Sequence, residues 1–255
     1  MKQTRIKVTA PILAKSEGGK KVGLGCQARI DQAAGCINGC KGCYARRVLR
    51  AGSRFDTVSE RKFDEVALRK SIKRIKKQGI DVCRCGTVCD PAYNMETLFR
   101  IIRIATDESL TLIVATKALA YRKDIAEALV DGGHFLQVSL GMLSKAQSDE
   151  DRVKVTMLYK MDGVKTMYRI TTDMTLPPSK FYISVMRDSI PVLLTPLRVI
   201  EGADICAYNL DLDNYEFEKG YYRPLFIYPG WNAPVCGEVT GEIRCANCLV
   251  PCFKG

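Results

Sequence analysis

The chain has 255 residues, of which 47% are hydrophobic and 26% charged, a balance that suits one globular domain with a small appendage and excludes an intrinsically disordered chain. Met1 to Lys21 is broken by Lys2, Arg5, Lys7, Lys15 and Lys20, which excludes the apolar core of a signal peptide, and no run of about 18 apolar residues offers a membrane span. A cytoplasmic protein with no membrane partner is expected. There, 12 cysteines read as metal or redox chemistry rather than a disulfide framework, and a net charge of +11 favours polyanionic partners as well as a merely solvated basic surface.

In chain order, a first strand is expected at about Val22 to Ile30. A cysteine loop follows. Leu68, Ile72 and Ile75 recur at helical spacing from Val66, with Gly79 as a stop, and the helix carries Arg69, Lys70, Lys73, Arg74, Lys76 and Lys77. Cations near a helix C-terminus also suit its dipole, so this cluster alone identifies no ligand.

Ile80 to Cys85 reads as a strand, Asn94 as the N-cap of a helix through Leu98 and Ala105, and Leu110 to Thr116 as the next strand. A helix over Asp124 to Val130 stops at Gly132 and Gly133, before a strand over Phe135 to Leu140. Ser148 and Asp151 cap a helix reaching Met161. Thr166 to Thr172, Ser179 to Asp188 and Ile190 to Thr195 then give strand, helix, strand.

This alternation predicts an α/β fold: a partial (β/α)6 barrel of parallel strands over residues 1–205, its site at the strands' C-terminal ends. Residues 206–255, rich in aromatics, Gly, Pro and Cys, read as an irregular cysteine-rich C-terminal cap.

After the first strand, Gly35-Cys36-Ile37-Asn38-Gly39-Cys40-Lys41-Gly42-Cys43-Tyr44 holds C-x3-C-x2-C. Three thiolates on one small-residue loop suit a [4Fe-4S] cluster that keeps one iron open. Structural zinc wants a fourth ligand, and the single histidine, His134, is distant in sequence. At the far end, Cys236, Cys245, Cys248 and Cys252 provide four thiolates, enough for a second [4Fe-4S] cluster or for zinc. Cys83, Cys85 and Cys89 form C-x-C-x3-C at the end of the second strand; Cys85 or Cys89 is a candidate hydrogen-atom donor, and equally a buried, inert cysteine. Cys26 and Cys206 read as core. Trp231, Tyr221, Tyr222, Phe226 and Tyr228 around Arg223 suit base stacking or the apolar core of the cap.

The three-cysteine loop, with Gly86-Thr87-Val88-Cys89-Asp90-Pro91, Ala115-Thr116-Lys117, Val138-Ser139, Ile170-Thr171-Thr172 and Ile190 to Pro196, resembles the radical S-adenosylmethionine (SAM) superfamily over about Val22 to Glu201. The pattern is most similar to the spore photoproduct lyase-like subgroup, from which the C-terminal cysteines depart. The resemblance implies an enzyme that reductively cleaves SAM at the cluster to a 5′-deoxyadenosyl radical, which then abstracts hydrogen from a substrate.

It implies that Tyr44 lies beside the adenine, that Gly86, Thr87 and Asp90 lie near the SAM amino group, and that Lys117 lies near the carboxylate. Ser139 would sit near carboxylate or ribose, with Thr171 and Thr195 at later strand ends. An electron donor such as flavodoxin or ferredoxin is implied. Three functions remain open: modification or repair of nucleic acid, modification of a peptide or protein with an auxiliary cluster, and a zinc-stabilised nucleic-acid-binding module.

Overall fold

The computed structural model describes residues 4–9, 12–15, 21–24, 28–43, 45, 55–145, 147–199, 202–218 and 221–236. The strands are β1 (Val8–Thr9), β2 (Ile12–Lys15), β3 (Lys21–Leu24), β4 (Ala28–Ile30), β5 (Ala33–Ala34), β6 (Ser59–Glu60), β7 (Val82–Cys85), β8 (Thr111–Thr116), β9 (Phe135–Leu140), β10 (Lys165–Ile170), β11 (Val192–Leu194), β12 (Tyr215–Glu218) and β13 (Tyr221–Pro224). The helices are α1 (Glu65–Lys76), α2 (Met95–Asp107), α3 (Lys123–Asp131), α4 (Asp149–Met161), α5 (Lys180–Arg187) and α6 (Gly202–Tyr208).

One seven-stranded sheet runs in the order β1-β4-β7-β8-β9-β10-β11. From β4 onward every pairing is parallel and every strand lies beside its predecessor in this sheet. Parallel neighbours need crossovers, and right-handed crossovers made in constant order place the helices on one face. The sheet curls into the expected partial barrel, with the other face concave.

Alternation along the strands separates the two faces. Cys83, Cys85, Leu112, Val114, Leu136, Val138, Tyr168 and Ile170 are buried in one core with Leu68, Ile72, Leu98, Ile101 and Ile125 of the helices. Their strand neighbours Arg84, Ala115, Gln137, Ser139, Met167 and Arg169 therefore belong to the concave face.

Helix starts follow their side-chain caps: Asp64 accepts from Ala67 N–H at 2.9 Å, Asn94 from Thr97 N–H at 2.9 Å and Ser148 from Asp151 N–H at 3.1 Å. Gly79, at φ +74°, follows the end of α1 in the left-handed region that glycine tolerates.

The first strand departs from expectation. Residues 21–24 pair antiparallel with 12–15, and only 28–30 enter the parallel sheet. β1 adds an antiparallel edge beside them. β10 ends at Ile170, which leaves Thr171 and Thr172 in the loop beyond it.

Towards the C-terminus, Trp231 joins the main core and donates to Leu176 O at 2.9 Å. Leu194 and Val235 form a parallel bridge that extends the sheet past β11. Phe226 and Tyr228 are exposed. Cys206, expected in the core, is exposed on short α6 instead. Among the described residues, no helix is long and apolar enough to cross a membrane.

Candidate functional site

The three-cysteine loop leaves β5 at the C-terminal end of β4, where parallel-barrel sites assemble. Its tight course depends on Gly35, Gly39 and Gly42, all at positive φ. At Gly35 a Cβ would lie 2.2 Å from Thr57 O, so only glycine lets the loop pass this backbone. The loop is tied on two sides: Cys36 N–H donates to Phe55 O at 2.8 Å, Lys41 N–H to Leu143 O at 2.9 Å, and Lys145 N–H to Asn38 O at 2.8 Å.

The thiols influence one another. Burial pushes Cys36 up to about 11, with Asp90 and Cys40 adding to the rise. Burial also raises Cys40, opposed by Lys117 and reinforced by Cys43. Among the described residues, no three His, Cys, Asp or Glu side chains converge on one metal ion. His134 is no ligand: it is buried in the helical layer, accepting from Leu112 N–H through Nδ1 at 3.1 Å.

Asp90 and Asp31 organise the ground around the loop. Asp90 accepts from Asn38 Nδ2 (2.9 Å), Thr116 Oγ1 (2.6 Å), Lys117 N–H (2.8 Å) and Ala92 N–H (3.0 Å). These four internal donors fill a carboxylate's ordinary acceptor capacity, so Asp90 is an anchor for the cysteine loop rather than a hand extended to the SAM amino group.

Asp31, at the end of β4, accepts from Thr87 N–H at 2.7 Å and Val88 N–H at 2.8 Å. Burial raises its pKa and the two backbone N–H groups oppose the rise. Gly86, at φ +95°, completes that turn, and a Cβ there would lie 2.3 Å from Ala115 O.

Lys117, 8% exposed, is different. Its Nζ has no hydrogen-bond partner among the described residues. Burial holds the ammonium below the ordinary lysine range; Cys40 opposes this and Arg152 reinforces it. A buried ammonium without a partner is costly unless an anion completes it. Its surroundings put it beside Cys40, at the open end of β8.

Ser139 and Arg169 are register partners on the concave face, and Arg169 Nε donates to Thr195 Oγ1 at 2.9 Å. Thr171 N–H donates to Leu140 O at 2.9 Å, so Thr171 sits at the rim.

Cys85 is fully buried in the core shared with the helices, on the face away from the concavity; this is the placement of an inert core cysteine and not of a hydrogen-atom donor. Cys89 lies in the loop below Asp31, with Sγ 3.9 Å from Asp31 Oδ1, and burial raises its pKa to about 12. Cys236 is buried against Met167 and Leu193 at the β11 edge. Tyr44, Cys245, Cys248 and Cys252 lie outside the described residues.

Sequence reading missed Asp31, Asn38 and the pair of buried Arg152 with half-buried Asp149, 2.6 Å apart. Arg152 also donates to Ser139 O at 3.2 Å and Ser144 Oγ at 3.2 Å, and Asp149 accepts from Gly141 N–H at 2.7 Å and Tyr182 OH at 2.8 Å. Together they fix the β9–α4 turn that clasps the cysteine loop.

No protein-family model and no curated protein matches the sequence. Among solved structures the chain is similar to the crystal structure of Streptococcus suis SuiB, with a TM-score of 0.50 and 14% identity over 69% of this chain and 43% of SuiB. The crystal structure of Streptococcus suis SuiB bound to S-adenosylmethionine is matched at a TM-score of 0.44 and 14% identity, over 70% of this chain and 42% of that one. The chain thus spans less than half the length of SuiB, and the likeness is one of fold.

Proposed function

We propose that the chain is a radical SAM enzyme whose Cys36, Cys40 and Cys43 hold a [4Fe-4S] cluster, and that its substrate is a nucleic acid. The observation that carries the first part is the buried ammonium of Lys117, which has no hydrogen-bond partner among the described residues and feels the Cys40 thiol, at the mouth of a partial barrel. The donor set fits the group: three neighbouring thiols on a glycine-shaped loop, with no histidine near them.

Bound there, the cluster would supply the electron that cleaves SAM to methionine and a 5′-deoxyadenosyl radical. The protein's own groups bind and orient. Lys117 receives the SAM carboxylate, the Gly86–Thr87 turn held by Asp31 lines the amino end, and Ser139 and Thr195 offer hydroxyls to the ribose side. Asp90 holds the cysteine loop against the end of β8. An acidic carrier such as flavodoxin or ferredoxin, in a reducing cytoplasm, would deliver the electron. The four C-terminal cysteines would hold a second cluster, or zinc.

The substrate reading rests on the net charge of +11. A peptide substrate is the second reading, favoured by the cysteine-rich C-terminus. Protein reconstituted anaerobically with iron and sulfide should be brown and release 5′-deoxyadenosine with dithionite and SAM, and Cys40→Ala should abolish that release. A colourless zinc protein that leaves SAM intact would overturn the proposal.

A further inference from the structure

A cavity of about 900 Å³ lies between the N-terminal segment and α1, far in sequence from the cysteine loop. Seven of its eleven lining residues are Lys or Arg, and none is Asp or Glu. α1 and its C-cap Lys77 supply Lys70, Arg74 and Lys77 at i, i+4 and i+7, which puts them on one helical face over about 10 Å. The facing wall is extended chain, in which Ile6 and Val8 are buried and Arg5 and Lys7 alternate outward.

The two walls are fastened together. Val8 N–H donates to Ser71 Oγ at 2.9 Å, and the guanidinium of Arg74 reaches Val8 O at 3.5 Å. A second, remote segment therefore turns a helical stripe into a two-sided groove. Arg69 and Lys73 are drawn off by Glu65, Asp107 and Glu108. Lys7, Lys70 and Lys77 are exposed and make no ion pair with a described carboxylate.

The cationic run continues towards the site. Arg5, whose guanidinium pairs with Asp64 at 2.9 Å, meets Lys62 through a backbone β-bridge, Arg61 N–H donates to Gln32 O at 2.9 Å, and the Arg61 guanidinium donates to Asp31 O at 3.2 Å. Asp31 is the residue that shapes the turn beside the cysteine loop.

We infer that this groove is the docking surface for the phosphate backbone of a nucleic acid, whose strand is led past Lys62 and Arg61 to the barrel mouth. A linear polyanion fits a linear run of flexible cations, and displacement of its counterions supplies the affinity. An acidic protein would be anchored instead by apolar or aromatic side chains in fitted pockets, and this groove presents mainly lysine and arginine stems. The inference rests on the nucleic-acid reading of the substrate and not on the radical chemistry.

The test is fluorescence anisotropy of the reconstituted full chain with a fluorescein-labelled single-stranded RNA of mixed sequence, titrated across potassium chloride concentrations. Replacing Lys7, Lys70 and Lys77 together by Gln should weaken binding at least tenfold and make the salt slope shallower by about 2, at about 0.7 per phosphate contact on a single strand. A control replacing Lys123, Lys154 and Lys180 by Gln should keep the wild-type affinity. Crosslinking of 4-thiouridine RNA to the unaltered protein should map to residues 5–7 and 70–77.

Equal weakening by both triple variants, crosslinks elsewhere, or displacement of the RNA by polyglutamate at equal charge would overturn the inference. Release of 5′-deoxyadenosine is read separately. Its loss would sink the radical reading and leave the groove standing.

Discussion

Asn38 donates its amide to Asp90 across 2.9 Å, joining the middle of the cysteine loop to the loop after β7. The same carboxylate holds Thr116 and Lys117 at the end of β8, so one buried side chain sets the distance between the thiols and the ammonium facing them.

Asp90→Ala would leave the Asn38 amide, the Thr116 hydroxyl and two backbone N–H groups without their acceptor. The expected cost is about 3 kcal/mol of stability in urea unfolding. Iron content after reconstitution should fall with it. A side chain whose role was to touch SAM would instead shift SAM affinity and leave iron content and unfolding unchanged.

Lys117→Met separates binding from stability. The substitution removes a buried charge that has no described partner, so the ligand-free chain should unfold at an equal or higher urea concentration. Binding of SAM should weaken by ten- to a hundred-fold, the worth of one charge-assisted hydrogen bond, about 1.5–3 kcal/mol. Isothermal titration with SAM against the wild type reads both the loss and its size. Loss of stability without loss of affinity would make Lys117 a structural residue.

His134 gives the fold a pH dependence. Burial lowers its pKa to about 4, from an ordinary value near 6.5. Its Nδ1 must stay unprotonated to accept from Leu112 N–H, while Nε2 lies 3.0 Å from Thr106 Oγ1. Between pH 6.5 and 4 the unfolded chain therefore binds the extra proton. The contribution is complete above about pH 6.5 and is lost as pH falls towards 4, by about 3 kcal/mol in all. Urea unfolding from pH 7.5 to 4.5 should show this loss in the wild type and a shallower profile in His134→Gln.

Much of this architecture was legible in the sequence because it is locally encoded. Leu68, Ile72 and Ile75 have helical spacing, Asn94 and Ser148 are caps, and Phe135 to Leu140 matches β9. The first strand was misjudged because Val22 to Ile30 carries no turn signal stronger than Gly23 and Gly25, although residues 21–24 turn back on 12–15. At the site, the cysteine loop stood out by its spacing, and Lys117 through the family resemblance. Asp31 did not, because its partners Thr87 and Val88 lie 56 and 57 positions away. Arg152 did not stand out either, because α4 turns Arg152, Thr156 and Tyr159 inward, a face with no apolar stripe to betray it.

That inward arginine leads to the sharpest structural prediction. Arg152 is 4% exposed, and its guanidinium ties Asp149, Ser139 O and Ser144 into one turn, which in turn holds Lys41 and Asn38 of the cysteine loop through Leu143 and Lys145. Among the described residues, Arg152→Met would leave the Asp149 carboxylate only Gly141 N–H and the Tyr182 hydroxyl as donors. Breaking one side of a fully buried pair costs about 3–5 kcal/mol, and less here because the Asp149 carboxylate is partly exposed, whereas replacing both sides costs less still. Adding Asp149→Asn to Arg152→Met should therefore recover part of the lost stability. If the turn acts through the cysteine loop, the recovery should extend to iron retention during gel filtration, measured against Arg152→Met alone. Purely additive losses in the double variant would show that the two charges act independently and that the turn is held by its backbone.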